Sequence, residues 1–263
     1  MALCLADSLI ECGDFNPVDQ MQRYCRWKNE GYLSSNGSAF DIGLTVRTAL
    51  ENFERQSEEE LNPFCGSTSP SKAGNGSLMR LAPIVLFYAN DAKRAISFAA
   101  ESSRTTHGAR EAVDACRYFA ALITGALQGK SKEELLSAHF TPVKDLWEAE
   151  PLSPKIAEIA AGLFKDRNAP QIIGSSQGYV VLSLHAALWA FYHTDSFKDG
   201  ALKVVNLGYD ADTYGAIYGQ LAGSFYGKDA IPADWLDVLA KKDLITSFAR
   251  KLCEINADNI NTE

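Results

Sequence analysis

The sequence predicts an all-α domain, and three observations carry that prediction. Apolar residues recur at three- and four-residue spacings along most of the 263-residue chain, the period of a helix with one buried face. Strand-like alternation is nearly absent, and Gly/Ser/Pro/Asn-rich breaks separate the periodic segments, notably Cys65 to Ser77 and Gly174 to Gly178. No repeat of fixed period and no linker divides the chain, so residues 1–263 read as a single domain.

The elements follow in order. Met1 to Ile10 is helical from its first residue, yet no Ser, Thr, Asp or Asn stands before it to cap the free N–H groups. The segment reads as a helix entered partway. Further helices are predicted over Val18 to Asn29, Asp41 to Gln56, Leu78 to Tyr88, Ala92 to Glu101, and Ala109 to Gln128; in the third of these Pro83 limits the regularity. Beyond them come Lys132 to Ala138, Pro154 to Phe164, Tyr179 to His193, Ser196 to Val205, Thr213 to Tyr226, and Lys241 to Ile255.

Bulk composition narrows the function. Hydrophobic residues make up 46% and charged residues 22%, close to ordinary globular usage, so disorder is not the default reading. The net charge of −8, with no basic run longer than a pair, argues against nucleic-acid binding. A local loop or metal can still invert the field for a phosphate-bearing ligand. No apolar run reaches the length of a membrane span, and no basic segment opens the chain. The six cysteines are scattered without a CxxC pair, so reduced, buried thiols and a cytoplasmic setting are expected.

Three segments carry candidate chemistry. In Gly208-Tyr209-Asp210-Ala211-Asp212-Thr213, two carboxylates and a hydroxyl meet at a predicted helix start. On a helix, residues two apart point about 200° away from each other, but on a turn the same spacing puts Asp210 and Asp212 on one face. Such an all-oxygen set suits Mg²⁺ or Mn²⁺; the alternative is an acidic cap on a solvated turn. Gly215, Gly219, Gly223 and Gly227 then recur every fourth residue. Each interior glycine costs a helix about 1 kcal/mol against alanine. Close packing of neighbouring helices along a glycine face is the expected compensation. It predicts a buried helix that aims Asp210, Asp212 and Thr213 inward, where carboxylates need a cation.

The second segment, Gly74-Asn75-Gly76-Ser77, is expected to form a positive-φ turn whose N–H groups can converge on a phosphate, although such turns are common without one. The third, Ser103 to His107, is a polar break between helices holding one of four histidines; Ser and Thr caps and an exposed imidazole are its plain alternative.

Together the three segments resemble the ADP-ribosylglycohydrolase family. The resemblance is carried by Gly74-Asn75-Gly76-Ser77-Leu78-Met79-Arg80, by Ser103-x-x-Thr106-His107, and by Gly208 to Ala216. Gly178-Tyr179-Val180-Val181, Ile231 to Trp235 and Ala39 to Thr45 fit the same order. It implies a compact all-α bundle with two magnesium ions in a central cleft, and hydrolysis of the bond between ADP-ribose and a protein side chain or other acceptor. In that reading Asp210, Asp212 and Thr213 bind metal, and Asp210 and Asp212 serve catalysis. Gly74, Asn75, Gly76 and Ser77 cradle the diphosphate, while His107 lines the ribose end. The family's first metal motif, Thr-Asp-Asp-Thr, is expected just upstream of a segment like Met1 to Ala6, which would leave half the metal shell outside this chain. Ala73 stands where some relatives carry an aromatic, and Tyr209 replaces a frequent glycine. A relative that binds ADP-ribose or a nucleotide without turnover, and a helical interaction protein with no ligand, are the alternatives.

Overall fold

A computed structural model describes residues 1–168, 170 and 178–260. Among these residues the chain forms fourteen α-helices joined by loops and 3₁₀ turns. The only β pairings there are two isolated bridges, Ser67 with His107 and Gly74 with Tyr179. The loop predicted from Gly174 to Gly178 lies outside the described residues up to position 177.

The centre of the molecule is α6 (Arg110–Leu127), buried at every position from Ala112 through Ala126. Its small residues make that burial possible. A Cβ added at Gly125 would come within 2.5 Å of Phe140 Cζ, so a bare backbone is required there. Around α6 pack α4 (Ala82–Phe87), α5 (Ala92–Arg104), α9 (Pro154–Ala160), α10 (Val180–Tyr192) and α12 (Ala211–Tyr226). α1 (Ala2–Cys12) buries Cys4 through Leu9 against α2 (Pro17–Glu30), α4 and α14 (Lys242–Ile260), and no side chain caps its first turn. α11 (Phe197–Val205) lies along α12.

The predicted boundaries shift where a local conformation forbids helix. Asp41 sits at φ 48°, so α3 begins only at Leu44 and ends at Glu54. Leu81 separates a 3₁₀ turn (Leu78–Arg80) from α4, whose first turn holds Pro83. The patterns from 132 and 154 give shorter helices, α7 (Lys132–Leu135) and α9, because the chain turns at Leu136 and at Gly162, where φ is 112°. Two short helices, α8 (Leu146–Ala149) and α13 (Ala233–Asp237), carry too little periodicity to be seen beforehand.

The expected glycine-lined helix contact is not what forms. An added Cβ on Gly219 or Gly223 would meet nothing within 4 Å, and one on Gly215 would meet only Val205 Cγ1, at 3.2 Å. α12 instead packs through Thr213, Tyr214, Ile217, Tyr218, Leu221 and Ala222. Gly227 ends it at φ 79°. All six cysteines are free, but only Cys4, Cys25 and Cys116 are buried; Cys12 and Cys253 are exposed. Among the described residues no helix is long and apolar enough to cross a membrane.

Candidate active site

The site begins where two distant loops are tied together. Asn75 N–H donates to Gly178 O (3.1 Å) and Val180 N–H to Ala73 O (3.0 Å), which fastens the 73–76 turn to the entrance of α10. One turn into α10, Ser183 donates its hydroxyl to Tyr179 O (3.1 Å), leaving a lone pair for Asn75. Asn75 Nδ2 then donates to Ser183 Oγ (2.8 Å) and to Asp210 Oδ2 (2.7 Å). A carboxylate only accepts, so this contact fixes which end of the Asn75 amide faces Asp210. Residues 135 apart in sequence thus share one hydrogen bond, with one ionised partner.

Gln220 holds the other side. Its side-chain oxygen accepts from Ala82 N (2.7 Å), and its Nε2 donates to Leu78 O (3.1 Å), which locks α12 to the segment following the turn. Asp210 is the N-cap residue of α12 at φ −90°, ψ 47°, and its side chain caps no backbone N–H because it serves Asn75. Thr213 is buried, with Oγ1 3.8 Å from Met79 Sδ. Asp212, in the first helical turn, is exposed. The triad predicted at residues 210–213 therefore does not face inward as a unit: Thr213 is inside, Asp210 is half-buried against Asn75, and Asp212 meets solvent. Burial, and then the Asp210 charge, push the Tyr214 phenol up to about 12, so it stays a neutral hydroxyl beside the site.

The two glycines of the turn are needed for a reason the sequence did not suggest. Neither Gly74 nor Gly76 has a positive φ. A Cβ on Gly76 would lie 2.9 Å from His107 Cε1, and one on Gly74 would lie 3.2 Å from His107 Nε2. The imidazole sits directly under the turn, 2% exposed, rather than open to solvent. Gly74 and Asn75 spend their N–H groups on Lys72 O and Gly178 O, whereas those of Gly76 and Ser77 donate to no other described residue. Ser77 Oγ is buried, 2.9 Å from Ser103 Oγ. The turn offers backbone donors rather than its serine hydroxyl.

Residues not singled out in the sequence complete the support. Arg80, 3% exposed, donates to Gly76 O (3.2 Å) and Thr106 Oγ1 (2.6 Å) and lies over the Tyr24 ring at 4.7 Å. Thr106 Oγ1 is 2.8 Å from His107 Nδ1. Burial first, and the Arg80 charge second, hold the His107 pKa down to about 3. At the rim, Tyr179 donates to Glu111 Oε2 (2.5 Å) and accepts from Lys155 Nζ (2.7 Å). Arg80 and Thr106 lie inside the motifs quoted above; Ser183 and Gln220 carried no signal at all.

The arrangement offers two backbone donors, a half-buried and an exposed carboxylate, and a buried hydroxyl along one seam between the 73–80 segment and the start of α12. Among the described residues no cluster of three His, Cys, Asp or Glu gathers to enclose a metal. A sequence model of one family, described as ADP-ribosylglycohydrolase, matches residues 1–261. The chain is 36% identical over 252 residues to the ADP-ribosylarginine hydrolase Tri1 of Serratia proteamaculans, covering 96% of this chain and 65% of that protein. The Pseudomonas putida protein of the same name is 38% identical over 96% of this chain and 64% of its own. This chain thus spans just under two thirds of the length of both. The ADP-ribosyl-[dinitrogen reductase] glycohydrolase of Rhodospirillum rubrum is 27% identical over 92% of this chain and 72% of its own. A solved structure titled ADP-ribosylglycohydrolase-related protein complex superposes with a TM-score of 0.79 at 40% identity, covering 97% of this chain and 79% of that one.

Proposed function

Because this chain belongs to the ADP-ribosylglycohydrolase family, we propose that the Asn75–Asp210 seam binds ADP-ribose and serves hydrolysis of its bond to an arginine side chain on a protein. The observation that carries the proposal is the Asn75 Nδ2–Asp210 Oδ2 hydrogen bond at 2.7 Å, which joins the turn with free N–H groups to the acidic turn. Arginine is the favoured acceptor because the two Tri1 proteins bear that substrate in their names.

The roles follow from the donors and acceptors. Gly76 and Ser77 N–H groups receive oxygens of the diphosphate, as backbone amides do in other phosphate-binding turns. Neutral His107 packs the turn from below and adds no charge that would have to be neutralised. Asn75 keeps Asp210 oriented, and Asp212 presents a second carboxylate at the mouth.

Asp210 and Asp212 would hold a divalent cation at the mouth of the seam, and Thr213, whose Oγ1 is turned to Met79 Sδ, would join them once its side chain rotates. Their oxygens suit Mg²⁺, which tolerates a shell filled out by water and substrate oxygens. When bound, such an ion would orient the ribose and act as a Lewis acid near the anomeric carbon. Three oxygen ligands from one turn cannot fill two octahedral shells, so these residues would supply only part of the two-ion shell implied by the family resemblance.

The test is release of ADP-ribose from an ADP-ribosylarginine peptide with Mg²⁺ present. Turnover that falls at least a hundredfold in Asp212→Asn, at unchanged Tm, is the expected result. Equal turnover in the variant would remove the acidic turn from the mechanism. Tight ADP-ribose binding without turnover would identify a binding protein instead.

A further inference from the structure

The chain of contacts behind the turn determines which nitrogen of His107 carries its hydrogen. Arg80 is only ever a donor, so its 2.6 Å contact to Thr106 Oγ1 occupies one of that oxygen's two lone pairs. Thr106 is fully buried, and His107 Nδ1 stands 2.8 Å from the same oxygen. Two arrangements remain. In one, the Thr106 hydroxyl donates to an unprotonated Nδ1. In the other, Nδ1–H donates to the last lone pair of Oγ1, and the hydroxyl hydrogen has nowhere to go, since Oγ1 has no further partner among the described residues. A buried hydroxyl left without an acceptor is costly. The first arrangement is favoured.

The imidazole is neutral in either case, held so by burial and by Arg80. With Nδ1 accepting, the hydrogen must sit on Nε2. Nε2 is the ring atom that lies near both glycines, 3.2 Å from where a Cβ would stand on either Gly74 or Gly76, with Cε1 beside it at Gly76.

We propose that Arg80 and Thr106 are positioning residues that lock His107 as its Nε2–H tautomer, so that a neutral donor is aimed through the two bare glycines at an anionic oxygen held in the turn. This rests on the ADP-ribose reading of the same site for the identity of that oxygen, but the tautomer itself does not.

Nitrogen-15 NMR of the histidine-labelled chain, without ligand, reads the tautomer directly, with His107→Gln assigning the signal among the four histidines. Wild type should show a pyridine-like Nδ1 and a pyrrole-like Nε2. Thr106→Val, which keeps the shape and removes the hydroxyl, should mix the two tautomers, and Thr106→Ser should restore the wild-type pattern. Titration with inorganic pyrophosphate should give about tenfold weaker affinity in Thr106→Val, the worth of one ordinary hydrogen bond, with affinity recovered in Thr106→Ser. A protonated Nδ1 in wild type, or a Thr106→Val spectrum identical to it, overturns the lock. Because the wild-type spectrum alone decides this, poor folding of the valine variant would not rescue the idea. A locked tautomer in a chain that binds neither pyrophosphate nor ADP-ribose would retire the functional reading and the donor role, while confirming the lock.

Discussion

Placing an alanine at Gly76 and another at Gly219 should have opposite effects, and the pair tests why these glycines are glycines. At Gly76 the new methyl would sit 2.9 Å from His107 Cε1, 3.2 Å from Nε2 and 3.4 Å from Val46 Cγ2. The ring cannot retreat easily. Its Nδ1 is bonded to Thr106, and both His107 and Val46 are buried. Overpacking of this kind costs about 1–3 kcal/mol. Gly76 has no positive φ, so alanine gains about 0.4–1 kcal/mol from a less flexible unfolded chain. Taken at the middle of both ranges, the balance is a loss of roughly 1.3 kcal/mol. At Gly219 an added methyl meets nothing within 4 Å inside α12, so alanine should stabilise by the helix-propensity difference of about 1 kcal/mol. For a chain of this size each kcal/mol moves Tm by about 2–4 °C. Thermal unfolding followed by circular dichroism should therefore show Gly76→Ala lower by roughly 3–5 °C and Gly219→Ala higher by about 2–4 °C. Were Gly76→Ala as stable as wild type, the ring would not be packed against the turn as described. A destabilised Gly219→Ala would mean that α12 does meet a neighbour along its glycine row.

Three further outcomes follow from the same contacts. A double-mutant cycle of Asn75→Ala with Asp210→Ala should give a coupling of about 1.5–3 kcal/mol by urea unfolding, as for a hydrogen bond to a charged group; additive losses would mean the two turns are not joined. The depressed His107 pKa makes stability depend on pH in one direction. The unfolded imidazole takes up its proton below about 6.5 and the folded one only near 3. The unfolded state thus binds more protons throughout that window, and stability falls as pH drops, by about 1.4 kcal/mol per unit. His107→Gln should flatten the slope between pH 6.5 and 4, and an unchanged slope would place the imidazole in solvent. Gln220→Leu should cost about 1–3 kcal/mol by leaving Ala82 N–H and Leu78 O unpaired, and hydrogen exchange at Ala82 should accelerate by at least tenfold; unchanged exchange would rule out the clamp.

Much of the fold is legible because helices announce themselves by period. α6, α10 and α12 stand within a few residues of their predicted limits, since long runs of spaced apolar side chains have no other way to be buried. Ends are less legible. Asp41 at φ 48° redirects the chain through a single residue, and Pro83 takes a place in the first turn of α4. The motif residues themselves could be picked out, but not their geometry. A glycine marks the absence of a side chain without saying whether a positive φ, a close neighbour or neither requires it. Gly76 accommodates a ring, Gly219 faces open space, and the two look alike in sequence. Likewise the Asn75–Asp210 bond spans 135 residues, a separation over which periodicity carries no information. Ser183 and Gln220 work only through that tertiary arrangement, so nothing local could reveal them.

Calorimetric titration of ADP-ribose into the chain, with and without Mg²⁺, tests the central claim most directly when wild type and Asp212→Ala are compared. The expected result is saturable binding to wild type that tightens at least tenfold in Mg²⁺, and binding to the variant that the metal does not improve. ADP-ribose giving no heat with wild type, or the same Mg²⁺ enhancement in both proteins, would contradict it.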